Sequence, residues 1–295
     1  MKVSGFTIVR NAIKYDYPVV ESISSILPLC DEVVVAVGHS EDGTRSLIES
    51  IGSPKIRIID TVWDESLRKG GEVLAVETNK AFDAIAADST WAIYIQADEV
   101  LHEEGIGKIN DAMKKWEANL EVDGFVIKYL HFYGSYDFIA DSRKWYRKEV
   151  RIVRNDKKIR SFQDAQGFRK EGKKLKVMPV DAIMCHYGWV KPPEYIRSKL
   201  QYFHTLWHNE AWMKEKRSEL ESFDYSGIDS LALFKGTHPS TMHNRIREKN
   251  WKFDFDPAKQ KSSVASRLLH WAEMKTGILI GEYRNYKIIK MKNEK

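Results

Sequence analysis

The first 120 residues alternate short β-branched runs with stretches of helical periodicity, and this alternation leaves few architectures open. Strands are predicted at Gly5–Val9, Glu32–Val37, Ile56–Ile59 and Trp91–Ile95. Helices are predicted over residues 17–29, 72–87 and 103–119. Strands that alternate with helices form parallel βαβ units, whose sheet is covered on both faces. We therefore expect an α/β fold.

The pattern changes after residue 120, where strand-like runs follow one another with only loops between them. They are Gly124–Tyr129, Val150–Arg154, Lys174–Met178 and Asp181–Met184. Strands joined by loops pair in antiparallel fashion, so the sheet should be mixed, with its parallel part first.

Pro192 and Pro193 then open a long predicted helix, because proline is favoured in a first turn. Its apolar face runs through Ile196, Leu200, Phe203, Trp207 and Ala211. An aromatic stripe at helical spacing favours packing in the core, with stacking on a sugar ring as the alternative. Further helices are predicted over residues 240–250 and 262–275.

Composition describes a folded protein with few cysteines. Of 295 residues, 43% are apolar, and the two cysteines, Cys30 and Cys185, lie in apolar runs. We expect a reducing, cytoplasmic location, since no run reaches the roughly 18 apolar residues of a membrane span. Peripheral contact with the cytoplasmic face of a membrane is left open.

Residues 143–176 carry fourteen Lys or Arg against four Asp or Glu. Such an excess of positive charge is compatible with binding to a nucleic acid. No RNA- or DNA-binding signature accompanies it, and solvated basic faces are common. We therefore expect no nucleic-acid partner.

Polar residues follow three of the predicted strands, at the ends where parallel α/β sheets bind ligands. They are Arg10-Asn11, Ser40-Glu41-Asp42-Gly43-Thr44 and Gln96-Ala97-Asp98-Glu99. Carboxylates such as Asp98 can hold a hard divalent cation that bridges phosphates. An acidic residue here can also simply cap a helix, so these residues alone leave both interpretations open.

Together these segments resemble the family 2 glycosyltransferases of the GT-A fold. The matching stretches are Ile8-Val9-Arg10-Asn11, Val37-Gly38-His39-Ser40-Glu41-Asp42-Gly43-Thr44, Glu77-Thr78-Asn79-Lys80-Ala81-Phe82, Gln96-Ala97-Asp98-Glu99, Arg151-Ile152-Val153-Arg154-Asn155 and Cys185-His186-Tyr187-Gly188-Trp189. The resemblance implies a GT-A (Rossmann-like) catalytic domain over residues 1–190, and we expect residues 191–295 to form a helical extension.

The resemblance also implies roles for individual residues. Donor-binding candidates are Ile8, Arg10, Asn11, Asp42, Arg68, Asn79, Gln96 and Ala97. Asp98 and His186 would hold Mn²⁺ or Mg²⁺, and Asp164 would be the base that deprotonates the acceptor, although a turn Asp before Gly167 is an equal alternative. Acceptor-side candidates are Glu99 and Trp189. His238 is a further candidate from beyond the resemblance, because its compact turn before Pro239 could close over the acceptor or donor; a plain turn between helices is the favoured alternative. Arg68 and Lys69 would neutralise donor phosphates or form an exposed basic loop.

Two positions depart from the family pattern. Val37 stands where these enzymes carry the acid that binds the nucleotide base, and Gln96 stands at the first acid of the metal motif. The expected reaction is inverting transfer from a nucleotide sugar to a glycan or lipid-linked acceptor. The departures leave open a sugar-nucleotide-binding protein without catalysis. A nucleotidyltransferase is the third alternative, but such enzymes usually carry glycine in the loop after the first strand, and Thr7–Tyr15 has none.

Overall fold

The computed structural model describes residues 1–67, 69–221, 225–253, 255–256, 269, 273 and 284–289. Its helices are α1 (Val19–Ile26), α2 (Thr44–Glu49), α3 (Glu72–Ala84), α4 (Ile106–Lys115), α5 (Pro193–Thr205), α6 (Glu210–Glu221) and α7 (His243–Arg247), with 3₁₀ turns at Glu103–Gly105, Tyr225–Gly227 and Ser240–Met242. Its strands are β1 (Val3–Val9), β2 (Glu32–Gly38), β3 (Ile56–Thr61), β4 (Trp91–Tyr94), β5 (Glu99–Leu101), β6 (Gly124–Tyr133), β7 (Ser135–Ala140), β8 (Lys148–Arg154), β9 (Ile159–Phe162), β10 (Gly167–Lys170), β11 (Lys173–Lys174), β12 (Lys176–Trp189), β13 (Leu231–Leu233) and β14 (Lys287–Ile288). The predicted α/β fold class, a mixed central sheet flanked by helices, is confirmed.

The parallel part of the sheet has the order β4-β1-β2-β3. Val33, Val35 and Val37 of β2 lie in a core cluster with side chains of α1 and α4. Val34 and Ala36, which point the other way, lie in a second cluster with α3. Both faces of β2 are therefore buried, which explains why its sequence is a continuous apolar run.

The second part of the sheet is largely antiparallel: β8 pairs with both β4 and β6. The two predicted strands at Lys174–Met178 and Asp181–Met184 form one long strand, β12, whose register against β6 shifts between Pro179 and Ile183. The short strand β5 pairs antiparallel with β12, and Glu99 lies opposite His186. This pairing brings the end of β4 next to the end of β12.

The long helix predicted after Pro193 ends at Thr205 in the structure, and α6 begins at Glu210. The side chain of Asn209 accepts a hydrogen bond from the backbone N–H of Trp212, and such a cap favours a new helix start. The predicted helix over 240–250 is present as α7. The one predicted over 262–275 lies outside the described residues except for 269 and 273. The division at residue 190 stays a prediction; β13 and β14, which follow it, join the main sheet.

Candidate active site

A cleft lies beyond the carboxyl ends of β1 and β4. In the sheet β1 lies between β2 and β4, and the connecting helices α1 and α3 cover opposite faces. Such a change of face leaves a crevice between the two strand ends. The cleft has a volume of about 280 Å³, and its walls come from β1, β4, β12, α5 and the segment 164–166.

Asp98 lines this cleft, with 13% of its side chain exposed. Its Oδ2 accepts a hydrogen bond from Nζ of Lys199 at 2.9 Å and lies 3.6 Å from Nε2 of His186. Burial alone would raise the pKa of Asp98, but the charges of Lys199 and His186 outweigh burial and hold that pKa well below its usual range. Asp98 is therefore a carboxylate at neutral pH.

A second histidine sets the orientation of His186. Nε2 of His131 lies 2.8 Å from the carbonyl oxygen of Tyr146, so it must donate. Burial and the neighbouring His186 lower the pKa of His131 to about 3, so that ring is neutral and its Nδ1 accepts. Nδ1 of His186, 3.1 Å away, is the donor. Nε2 of His186 is thereby left facing Asp98.

Lys199 completes the cluster, although none of the sequence motifs points to it. Its Nζ donates to Oδ2 of Asp98 at 2.9 Å and to the carbonyl oxygen of Gly188 at 3.0 Å, and only 15% of the side chain is exposed. Lys199 lies on α5 at helical spacing from Ile196 and Phe203, which also line the cleft. The stripe predicted to pack in the core is thus a cleft wall over this part of α5. A lysine within that stripe is the sequence signal that could have identified it.

Gly188 allows the cluster to pack closely against β12. A Cβ at this position would stand 2.6 Å from both Oδ2 of Asp98 and Nε2 of His186. Non-bonded atoms do not approach so closely, so any side chain here would displace both groups. The glycine therefore allows the carboxylate and the imidazole to lie this close to the backbone.

Asp164 is the second carboxylate that lines the cleft. It lies in a turn between β9 and β10, flanked by positive φ angles of 53° at Gln163 and 60° at Ala165. Burial raises the pKa of Asp164, and no ion pair joins it to another described residue. Asp164 is thus the more basic of the two carboxylates.

A cation and two aromatic rings form another wall of the cleft. The guanidinium carbon of Arg10 lies 5.8 Å from the ring centre of Trp63 and 5.6 Å from that of Tyr202. Arg10 also donates to Glu65 at 3.1 Å and to Tyr202 at 3.2 Å. The buried indole N–H of Trp63 makes no hydrogen bond to a described residue. That nitrogen is packed against Gly38, so the ligand-facing groups of this wall are the guanidinium and the ring faces. A guanidinium beside aromatic rings suits an anionic ligand that carries a planar group.

The cleft brings together a large share of the site residues predicted from sequence. They are Ile8, Arg10, Gln96, Ala97, Asp98, Asp164, His186 and Trp189. The amide of Gln96 faces inward, with Nε2 lying 3.4 Å from the carbonyl oxygen of Ala165. The roles given to these residues stay predictions.

Asn11 and Asp42 lie outside the cleft and hold loops in place. Oδ1 of Asn11 accepts from the backbone N–H of Glu41 at 2.8 Å, and the residue lines a neighbouring cavity of about 260 Å³. Oδ1 of Asp42 accepts from the backbone N–H of Thr44 at 3.0 Å, which fixes the turn that leads into α2. Their polar atoms are used by the backbone, so donor binding by Asp42 is not supported.

Asn79 and Glu99 also have internal partners. The amide of Asn79 pairs with the backbone of Ser161, accepting at 2.9 Å and donating at 3.4 Å. Glu99 is fully buried and forms a two-bond ion pair with Arg151. The prediction of Glu99 on the acceptor side is therefore wrong, since its carboxylate has no access to the cleft.

His238 lies away from the cleft in an aromatic cluster. Its Nδ1 is 2.8 Å from the hydroxyl oxygen of Tyr187, and the rings of Phe132 and Phe234 pack against it. His238 does not line the cleft, and its acceptor-side role stays a prediction. Arg68 lies outside the described residues, and Lys69 is exposed.

The residues present do not fit a bound Mn²⁺ or Mg²⁺. No group of three His, Cys, Asp or Glu suited to a metal occurs in the part of the chain that the structure describes. Gln96 has no charge, and the oxygens of Glu99 accept from Arg151 and Tyr129. The remaining carboxylate, Asp98, shares Oδ2 with the ammonium of Lys199, which would repel a dication.

The basic segment 143–176 is partly used within the fold. Arg154 donates to four backbone carbonyl oxygens near the end of α4. Lys170 forms ion pairs with Asp123 and Asp156, and Arg160 pairs with Asp83. Part of the positive charge of this segment is thus neutralised by acidic partners, and Arg154 is bound by backbone carbonyl groups.

The described residues include no helix long and apolar enough to cross a bilayer.

Comparison with known proteins returns no family model and no curated protein that matches the chain. Among solved structures the chain is similar to S. aureus TarS 1-349, at 14% identity and a TM-score of 0.38, over 75% of this chain and 71% of that one. It is also similar to glucosyl-3-phosphoglycerate synthase from Mycobacterium tuberculosis in complex with Mn²⁺, UDP and phosphoglyceric acid, at 17% identity and a TM-score of 0.30, over 44% of this chain and 43% of that one. Similarities this weak support no conclusion about activity or ligands.

Proposed function

We propose that this chain is a glycosyltransferase that moves a sugar from a nucleotide-diphosphate-sugar donor to a hydroxyl group. Its acceptor would be a glycan, a lipid-linked saccharide or another surface-polymer precursor. The motifs along residues 5–190 support this proposal, as does a cleft where parallel α/β sheets bind their ligands.

The observation that carries the proposal is the contrast between the two carboxylates of the cleft. Asp98 is paired with Lys199, which keeps its pKa low, whereas burial raises the pKa of Asp164, which accepts from the backbone N–H of Gln166 but has no ion pair with a described residue. Group transfer to a hydroxyl needs a site that neutralises the negative charge of the leaving group, and a separate base that takes the hydroxyl proton. Titratable pairs whose pKa values are pushed apart are typical of that division of roles.

In the proposed reaction the acceptor oxygen attacks the anomeric carbon of the donor. The bond from that carbon to the donor phosphate oxygen breaks, and its electron pair leaves with the nucleoside diphosphate. The acceptor proton passes to the carboxylate of Asp164. A single displacement of this kind inverts the configuration at the anomeric carbon.

The donor would lie between the Asp98–Lys199 pair and the wall formed by Arg10, Trp63 and Tyr202. Aromatic rings and a guanidinium can stack on a nucleotide base without a base-reading carboxylate. Val37 is 4% exposed and packs in the core, so it contributes no contact to a nucleotide. Recognition of the nucleotide base would therefore depend on residues other than the acid that the family pattern places at position 37.

Titration calorimetry with UDP, GDP, CDP, ADP and dTDP, followed by release of nucleoside diphosphate from the matching sugar nucleotides, tests the proposal. Asp164→Asn should keep nucleotide binding and lower release by about a hundredfold or more. Asp181→Asn is the matched control, because Asp181 pairs with Lys108 and Lys128 outside the cleft and is 63% exposed.

Full release by Asp164→Asn would refute its role as the base. Binding without any release by the wild type would favour the non-catalytic sugar-nucleotide-binding protein, which the replacement of two acids by Val37 and Gln96 allows. Binding of none of the five nucleotides would refute both functions.

A further inference from the structure

We propose that Lys199 supplies the cation that binds the donor diphosphate, in the place that a divalent metal would otherwise take beside Asp98. This inference rests on the proposed function, because it concerns the leaving group of that reaction. It predicts nucleotide binding and sugar transfer that need no added metal.

The ammonium of Lys199 has the position of a bridging cation. It is held by Oδ2 of Asp98 at 2.9 Å and by the carbonyl oxygen of Gly188 at 3.0 Å. An ammonium carries three N–H donors, and these two bonds leave one for a ligand in the cleft that Lys199 lines. The ring of Tyr17 lies 5.1 Å from Nζ and adds a further contact on the protein side.

The surroundings of Lys199 favour this role over a purely structural one. An ion pair that only stabilised the fold would not need to lie at the wall of a cleft. Lys199, Asp98 and Gly188 all line the cleft, and 15% of the Lys199 side chain is exposed. The fixed cation therefore has access to a ligand.

The same arrangement argues against a metal ion at Asp98. A dication at Asp98 would bind a carboxylate whose Oδ2 already accepts from an ammonium, and the two cations would repel each other. The amide of Gln96 offers one neutral oxygen, and both carboxylate oxygens of Glu99 already accept hydrogen bonds from Arg151. Magnesium is held in proteins by carboxylates together with substrate phosphates. Here the charge of Asp98, the carboxylate of this cluster that lines the cleft, is neutralised by Lys199.

The chemistry of the transfer is balanced with Lys199 in this role. As the bond between the anomeric carbon and the phosphate oxygen breaks, negative charge grows on the diphosphate. Lys199 stays protonated throughout and forms a charge-assisted hydrogen bond with that oxygen. The proton that is released comes from the acceptor hydroxyl and goes to Asp164, so Lys199 neither gains nor loses one.

Calorimetry on the intact chain with the five nucleoside diphosphates, in excess EDTA and then in excess MnCl₂, tests the inference first. We expect the wild type to bind at least one nucleotide in EDTA, with an affinity that Mn²⁺ changes by less than about threefold. Loss of binding in EDTA, or a gain of about tenfold or more with Mn²⁺, would overturn it. These outcomes are distinct from failure to bind under both conditions, which refutes the proposed function itself.

Substitution of Lys199 gives the second test. Lys199→Ala should weaken nucleotide binding in EDTA by about tenfold to a hundredfold, the range for hydrogen bonds to charged groups. Lys199→Arg keeps a cation and should retain most of the affinity. Arg197→Ala is the matched control on the same helix, since Arg197 does not line the cleft.

If Lys199→Ala makes nucleotide binding dependent on added metal, Lys199 binds the diphosphate and does not only stabilise the fold. Lys199→Ala frees Oδ2 of Asp98, so added Mn²⁺ should restore part of the lost affinity, and Asp98→Asn/Lys199→Ala should abolish that restoration. Wild-type affinity of Lys199→Ala in EDTA would overturn the proposal. If the alanine variant does not fold, the EDTA and Mn²⁺ titrations of the wild type decide the matter alone.

Discussion

Replacing Glu99 with glutamine should destabilise the fold strongly, because Glu99 anchors the strand end next to Asp98. The side chains of Glu99 and Arg151 are both fully buried. The guanidinium donates to the two carboxylate oxygens at 2.7 and 2.9 Å, and the hydroxyl of Tyr129 and the backbone N–H of Gln96 also donate to them. Glutamine would remove the charge and turn one acceptor into a donor that faces other donors.

The magnitude follows from the burial of both charges. Removing one partner of a buried ion pair costs about 3–5 kcal/mol, because the other charge is left without compensation. We expect Glu99→Gln to lower the free energy of unfolding by about 4 kcal/mol. The double variant Glu99→Leu/Arg151→Met removes both charges and should cost less than either single change, since apolar groups often replace such pairs at little cost.

Urea unfolding followed by tryptophan fluorescence gives the free energies, and the chain has nine tryptophans to report it. Asp181→Asn serves as the control, because its ion pairs are exposed and should contribute less than about 1 kcal/mol. A loss below about 1 kcal/mol for Glu99→Gln would refute the anchoring role. A double variant as unstable as the sum of its single changes would refute the coupling of the two residues.

Three further substitutions test other contacts. Gly188→Ala places a methyl group 2.6 Å from Asp98 and His186 and should displace both side chains, so it should weaken nucleotide binding by about tenfold or more in calorimetry; unchanged affinity would contradict the requirement for glycine here. Burial raises the pKa of Asp164, so ionisation opposes folding above the unfolded value of about 3.9. Asp164→Asn should therefore gain stability over the wild type at neutral pH, but not in strong acid, and urea unfolding at both pH values checks this; a loss at neutral pH would show that the carboxylate has a stabilising partner. Burial also raises the pKa of Glu149 to about 7, so the wild type loses stability as the pH rises from its unfolded pKa of about 4.5 towards 7. Glu149→Gln should escape that loss and gain about 3 kcal/mol at high pH, whereas a difference that does not vary with pH would be inconsistent with the raised pKa.

The parallel part of the fold could be predicted because its signals are local. Strands β1, β2 and β4 are short runs buried on both faces, β3 is the half-exposed edge strand, and helices α1 and α3 have apolar faces. Ligand-binding ends of parallel strands follow from topology, so Arg10, Gln96 and Asp98 could be named before their contacts were known. His186 was predicted from its motif and Asp164 from its position along the chain, and both side chains line the same cleft.

Lys199 could not be predicted in the same way, because its partner Asp98 is 101 residues distant in sequence. The stripe of α5 has the spacing of a core helix, and only its packing against β12 shows that part of it lines a cleft. Glu99 was assigned to the wrong side for a related reason. Asp98 lies in the turn before β5 and lines the cleft, whereas Glu99 is the first residue of β5 and faces the core, where its buried partner Arg151 lies 52 residues away in sequence.

The central claim, that the cleft holds a nucleoside diphosphate beside Lys199, is tested most directly by a crystal structure of the chain with the tightest-binding nucleotide of the five, grown in EDTA. We predict that a phosphate oxygen lies within hydrogen-bonding distance of Nζ of Lys199, and that the base lies against the wall of Arg10, Trp63 and Tyr202. A diphosphate bound elsewhere, with Lys199 still bonded only to Asp98 and Gly188, would contradict the account.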